Sequence, residues 1–222
     1  GNRLSSSHLS VFAWRRAKTR FRVNKIAAFS SVRRASHRLF FTGALPASSF
    51  GVEVIGATDK VIASLRRDAA SCLGISGHRR SLDLTFGLVS RMDPGALAAV
   101  APLVRYAKEV WLASTPGCDS SVIKYISLIK GFHSSILCGK APKSWGYSRG
   151  PLGAAFLAAR RIGWTFTSPV IAVDTSGCQY NLFQLYPCEV NKLALSAFAH
   201  ASLAKGFGRL SDIDLPVDRD RT

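Results

Sequence analysis

The sequence predicts a mainly α-helical protein, with a basic helical lobe first and a second helical lobe carrying one β-hairpin. Three observations lead there. Apolar side chains recur at helical spacing through most of the chain. Pro-first or Gly-last punctuation marks several segment ends. Only one stretch, near 170–183, places two short β-prone runs about a tight turn. The 222 residues, 47% hydrophobic and 19% charged, suffice for one large or two small domains.

In chain order, residues 8–30 carry a helical pattern with Val23, Ile26, Ala27 and Ser30 on one face. The apolar face then shifts at Ser31, which is placed to cap a second helix running to Thr42. That helix should bury Val32, Leu39 and Phe40, expose Arg33, Arg34 and Arg38, and end at Gly43 and Pro46. Residues 50–56 read as a short β-prone buried connection. Thr58 or Asp59 caps the next helix, with Val61, Ile62, Leu65, Ala69 and Cys72 inward, Arg66 and Arg67 on the far side, and Gly74 as the stop. The loop at 74–81 divides the lobes, giving units of 1–74 and 75–208 and a flexible charged tail, 209–222.

The second lobe opens at Asp93-Pro94, a capping carboxylate before a first-turn proline. Pro102 should split the region into two short helices, the second bearing Leu103, Val104, Ala107, Val110 and Trp111. Residues 120–137 form another helix, followed by a polar loop from Lys140 to Gly150. Pro151 to Ile162, stopped by Gly163, is helical. Val170–Val173 and Cys178–Phe183 then flank the turn at Asp174–Gly177, and a last helix runs from Pro187 to Lys205.

Charge is the strongest functional clue. Ten Lys/Arg residues precede the first acidic side chain, Glu53. Residues 1–74 hold 13 basic and 3 acidic groups, and residues 75–222 hold 17 and 10. Net positive charge, +10 against +7, is thus about three times denser per residue in the first lobe. Such a field attracts polyanions and neutralises several phosphates at once. Phe12, Trp14, Phe21, Val23, Ile26, Phe29, Phe40 and Phe41 are threaded through the run, which suggests basic helices with one face to a core and another to phosphate. The assigned nucleic-acid-binding residues are Arg15, Arg16, Lys18, Arg20, Arg22, Lys25, Arg33, Arg34, Arg38, Arg66 and Arg67.

Chemistry is not indicated. The histidines (His8, His37, His78, His133, His200) lack metal-ligand spacing, and the acidic pairs Asp212/Asp214 and Asp218/Asp220 lie in the tail. No GxxxxGK[ST] or strand-linked GxGxxG motif occurs. Val170 to Gly177 is similar to the first strand of ribonuclease-H-like nucleases, whose Asp binds metal, but too few carboxylates follow, and Asp174 reads as a hairpin-turn residue. No catalytic or metal residue is assigned. Five unpaired-looking cysteines imply reduced thiols inside the cell. No run approaches the ~20 apolar residues of a membrane span, so no membrane partner is expected. The opening Gly1-Asn2-Arg3 reads as an excerpt of a longer frame or a processed product, and its acid-free, Arg- and Ser-rich character also suits an organellar transit peptide.

The order of Arg20 to Ile26, Arg33 to Asp59 and Leu65 to Ala70 resembles the segment after the catalytic palm in non-LTR (LINE-type) retrotransposon reverse transcriptases, dinoflagellate ones especially. A basic helix there precedes a Pro-x-x-x-Tyr-Gly-x-Glu-x-x-Gly signature and a helix with a Leu-Arg pair. Pro46, Phe50, Gly51, Glu53 and Gly56 match that signature, with Phe in place of Tyr. Asp93-Pro94, Arg105 to Trp111, Gly150 to Ala155, Ile162 to Trp164 and Ser168-Pro169 are similar to downstream parts, so the resemblance spans roughly 15–190. The family's Tyr-x-Asp-Asp motif and Cys/His knuckle are missing.

The resemblance implies a thumb and its C-terminal extension: a non-catalytic part that grips template–primer backbone, RNA and/or DNA, beside the palm and fingers of a parent polymerase. It implies no cofactor in this chain, Mg²⁺ belonging to the parent, and a nuclear or cytoplasmic location. The alternative is a basic organellar or ribonucleoprotein-associated structural protein packing on RNA.

Overall fold

Within the acid-free stretch, Ser6–Ser30 form one long helix, α1, whose inward strip is Thr19, Val23 and Ile26. The computed structural model describes residues 6–30, 32–75, 81–88, 93–114, 119–136, 144–145, 148 and 150–211. Ser31, most of the 74–81 and 140–150 loops, and the tail from 212 onward lie outside them, as does the Arg34 side chain. The described chain is mostly helical, with a small antiparallel sheet near its C-terminal end.

After α1 the backbone changes pitch three times. A 3₁₀ turn (Arg34–Ser36), a single α turn, α2 (His37–Leu39), and a π turn (Phe40–Ala44) lead into α3 (Leu45–Ser49). This mixture overturns the regular helix predicted to Thr42. Ser36, Phe40, Ala44 and Ser48 point inward at four-residue spacing, so Phe40 is buried as expected. Val32 is instead 85% exposed, and Leu39 faces solvent too. Gly43 and Pro46 do not stop the chain either. Gly43 sits inside the wide π turn, and Pro46 falls in the first turn of α3, where its missing N–H is tolerated. The break comes at Gly51, whose φ of 85° favours glycine.

The predicted β-prone connection is likewise helical: α4 (Val52–Ile55) buries only Val52 and leaves Val54 and Ile55 outside. Thr58 caps α5 (Asp59–Cys72), its Oγ1 accepting from the Val61 N–H at 3.4 Å. Ile62, Leu65, Ala69 and Cys72 face the core as predicted. Cys72 Sγ lies 3.8 Å from the Val23 carbonyl, joining α5 to α1. Burial, helped by the charge of Asp68, pushes its thiol up to about 11, which keeps it a neutral donor.

Helix α6 (Leu82–Leu88) precedes α7 (Pro94–Ser114), the central helix, against which α4, α5, α8 (Asp119–Ile136), α9 (Gly150–Arg161) and α10 (Pro187–Ser211) pack. Asp93 starts α7 as predicted, its Oδ1 accepting the Gly95 N–H at 2.8 Å. Pro102 does not divide it. A helix-interior proline costs roughly 3 kcal/mol, but Ala99, Val100, Leu103, Ala107 and Val110 are buried on both sides of it. That shared burial holds one continuous helix through the defect. α10 also outruns its expected end, continuing past Gly208 to Ser211.

The sheet is a meander, β1 (Thr165–Ser168), β2 (Ile171–Val173) and β3 (Gln179–Asn181). The β2–β3 hairpin is the predicted one, with Ala172 opposite Tyr180. β1 is an additional strand, pairing Phe166 with Ala172 and irregular between Phe166 and Ser168. Its four residues run directly into Pro169, which masks them in the sequence. One hydrophobic cluster runs from Val23 to Phe198 through both predicted lobes.

Arg66 crosses that cluster. It is only 3% exposed, where the sequence reading placed it on the outer side of α5. Its Nε lies 3.0 and 3.1 Å from the two Asp93 oxygens, Nη2 is 2.5 Å from Asp93 Oδ2, and Nη1 is 2.6 Å from Asp83 Oδ1. Ser202 of α10 accepts at 3.2 Å. Removing one partner of a buried pair leaves the other charge uncompensated, at about 3–5 kcal/mol. Arg66→Met should therefore lower the urea midpoint by that order of stability. A loss under about 1 kcal/mol, the range of a surface pair, would show the contact to be incidental.

Candidate nucleic-acid interface

At 3.6 residues per turn, Trp14, Lys18, Phe21, Lys25 and Phe29 share an arc of about 80° on α1, and Arg22 and Arg15 continue its edge. Thr19, Val23 and Ile26 lie on the opposite side, against the core. The helix thus turns its cations to water because its few core-formers are already committed inward. Against the arc's edge lies a groove of about 560 Å³ walled by Arg15, Lys18 and Arg22 on α1 and by Pro46 and Phe50. The Arg15 guanidinium stands 4.7 Å from the Phe50 ring centre, and its Nη1 donates to the Phe50 carbonyl at 3.5 Å. Among the described residues no carboxylate pairs with Arg15, Lys18, Arg22 or Lys25.

The eleven predicted cations divide into distinct groups. Arg15, Lys18, Arg22 and Lys25 converge on this face, and Arg33 and Arg38 are exposed on the segment that follows. Arg16 turns the other way: it bonds Ser64 Oγ and lies 3.6 Å from Asp68 of α5. Arg20 and Arg67 also direct their charge at Asp68, whose carboxyl burial pushes up and these cations pull down. Arg67 is exposed, with Nε 3.4 Å from the Ala63 carbonyl of its own helix. Arg66 is withdrawn altogether, for its three hydrogen-bonding nitrogens are spent on Asp83, Asp93 and Ser202.

Sequence reasoning missed the rings. Trp14, Phe21 and Phe29 are 62%, 64% and 61% exposed, and Phe50 is 67% exposed. The signal was present in their seven- and eight-residue spacing from one another, out of phase with Val23 and Ile26. Reasoning from residue type alone assigns bulky rings to a core. A second buried cation was also missed. Arg161 Nη2 donates to the Ala57 carbonyl and to Asp59 Oδ1, both at 2.8 Å. Burial pulls its pKa down, against the opposing effect of Asp59.

Asp174 is bound up in its turn. Oδ1 accepts from Ser176 N–H (2.8 Å), Ser176 Oγ (2.6 Å) and Cys178 N–H (2.9 Å), and Oδ2 accepts from Tyr180 OH at 2.8 Å. These donors supply what an Asx turn requires. Among the described residues no group of three His, Cys, Asp or Glu is placed to hold a metal ion. Nor, among them, is any helix long and apolar enough to cross a membrane. Comparison with protein-family models, with curated proteins and with solved structures found no match.

The bonds from Ser176 and Tyr180 hold the Asp174 carboxyl down at about 2. The folded turn therefore favours the ionised form. Its contribution is complete above the ordinary carboxylate value near pH 4 and disappears as pH falls through about 2. Amide exchange at Ser176 and Cys178 should stay slow down to pH 3 and rise below it. In Asp174→Ala it should be fast throughout, with the helical signal unchanged. Slow exchange in the variant would remove the carboxylate from its role in the turn.

Proposed function

We propose that this chain grips nucleic acid through the outer face of α1, as a non-catalytic, thumb-like part of a retroelement reverse transcriptase. The observation carrying this reading is the set of cations Arg15, Lys18, Arg22 and Lys25, without a carboxylate partner among the described residues, on one face beside an open groove. Phosphate oxygens are their natural complement, and such contacts set register without reading sequence. Arg33 and Arg38 are further exposed cations on the segment that follows α1. The resemblance of residues 15–190 to the post-palm segment supports the polymerase context. In that context RNA and/or DNA backbone is the ligand, a palm and fingers are the neighbours, Mg²⁺ belongs to the palm, and the location is nuclear or cytoplasmic.

Two measurements test it. Duplex affinity should fall steeply with salt, and replacing Lys18, Arg22 and Lys25 together by Gln should lower the log–log slope by about 2–3, at about 0.9 per phosphate contact. Helicity should persist because these side chains are exposed. An unchanged slope removes α1 from the interface. Given Mg²⁺ or Mn²⁺, primed template and nucleotides, the chain alone should extend nothing, and a Tyr-x-Asp-Asp palm should be encoded immediately upstream. Metal-dependent extension by this chain would replace a binding role with an enzymatic one.

A further inference from the structure

A surface that only follows duplex backbone has no use for exposed rings, because phosphates and sugars offer nothing to stack on. Yet the outer arc of α1 interleaves three rings with its cations. Lys18 Nζ stands 5.2 Å from the Trp14 ring centre and Lys25 Nζ 4.5 Å from that of Phe21. Each of the three rings is about three-fifths exposed, and three such rings in a row exceed the singly scattered apolar residues of an ordinary surface. A protein-docking face would be depleted of lysine at its centre. A helix lying on a membrane would put cations and rings on opposite sides. Here both share one arc, and the opposite side is already buried.

We infer that this arc binds single-stranded nucleic acid, unpaired bases stacking on Trp14, Phe21 and Phe29 while Lys18, Arg22 and Lys25 meet the phosphates. The inference rests on the reading that α1 is the nucleic-acid surface, and it specifies the strand state that surface prefers. Successive rings are seven and eight residues apart, about 10 and 12 Å along the axis at 1.5 Å per residue. That is roughly three nucleotide steps at about 3.4 Å each. The full arc of about 22 Å covers six or seven nucleotides, within the range of known single-strand sites. Each lysine now over a ring exchanges that face for a phosphate when a base takes its place. Because every base has a stacking face, little sequence preference is expected.

The test compares a labelled thymidine oligonucleotide of about twelve nucleotides, roughly twice the arc, with the matching duplex on the full chain. Trp14→Ala, Phe21→Ala and Phe29→Ala should each weaken single-strand binding at least about fivefold, leaving duplex binding within about twofold. These side chains are exposed, so folding should persist and circular dichroism confirms it. Lys18→Gln with Lys25→Gln should weaken both ligands. Ring variants that leave single-strand affinity unchanged, or weaken the duplex equally, overturn the inference while sparing the backbone reading. Failure to bind either ligand at low salt overturns both. Phosphatidylserine vesicles bound through the same rings, with single-strand affinity intact in the variants, would reassign the arc to a lipid surface.

Discussion

The buried contact between Arg66 and Asp93 is the constraint on which the rest of the structure depends. One guanidinium on α5 reaches the start of α7 through Asp93, α6 through Asp83 and α10 through Ser202. Asp93 in turn caps α7 through the Gly95 N–H. Gly95 has no side chain for a reason: a Cβ there would come within 2.9 Å of Arg66 Cγ and Nε and of Ile62 Cγ2. The central helix can thus approach α5 only at a glycine, and the charge that orders the approach is enclosed by it. A first lobe cut at residue 74 would carry Arg66 without either carboxylate.

That dependence changes the meaning of the charge pattern. A count of basic residues treats all cations in the first lobe alike, whereas the fold spends them in different ways. Arg66 is consumed in the core, Arg16 turns to Asp68, and only part of the run is left to shape the outward field. The useful quantity is the unpaired charge on one face, which is smaller than the net charge and more directional.

Much of the architecture was legible because it follows local rules. The α1 strip, the Thr58 cap, the Asp93-Pro94 start and the β2–β3 turn each depend on residues within a few positions of one another. The misreadings have a common cause in partners far away in sequence. Arg66 sits four residues from both Ile62 and Ala70, on the inward face by spacing alone. Its type argued for the surface, and the carboxylates that reverse this lie 17 and 27 residues downstream. Pro102 remained helical through burial contributed by other helices. Val32 and Leu39 were misplaced because a turn and a 3₁₀ segment replace the start of the regular helix that the periodicity assumed. The rings of the candidate interface were misassigned for the opposite reason, since nothing among the described residues arrives to cover them.

The placement of Trp14 also gives the molecule an intrinsic optical probe. Of its four tryptophans, Trp164 is buried, Trp111 and Trp145 are half-buried, and Trp14 alone stands well out in water on the outer arc. The emission of the protein is therefore a sum in which the long-wavelength, solvent-relaxed part comes from the candidate interface, and the shorter-wavelength part comes from the body of the fold. Events at α1 and events in the core are separated by colour in the unlabelled chain.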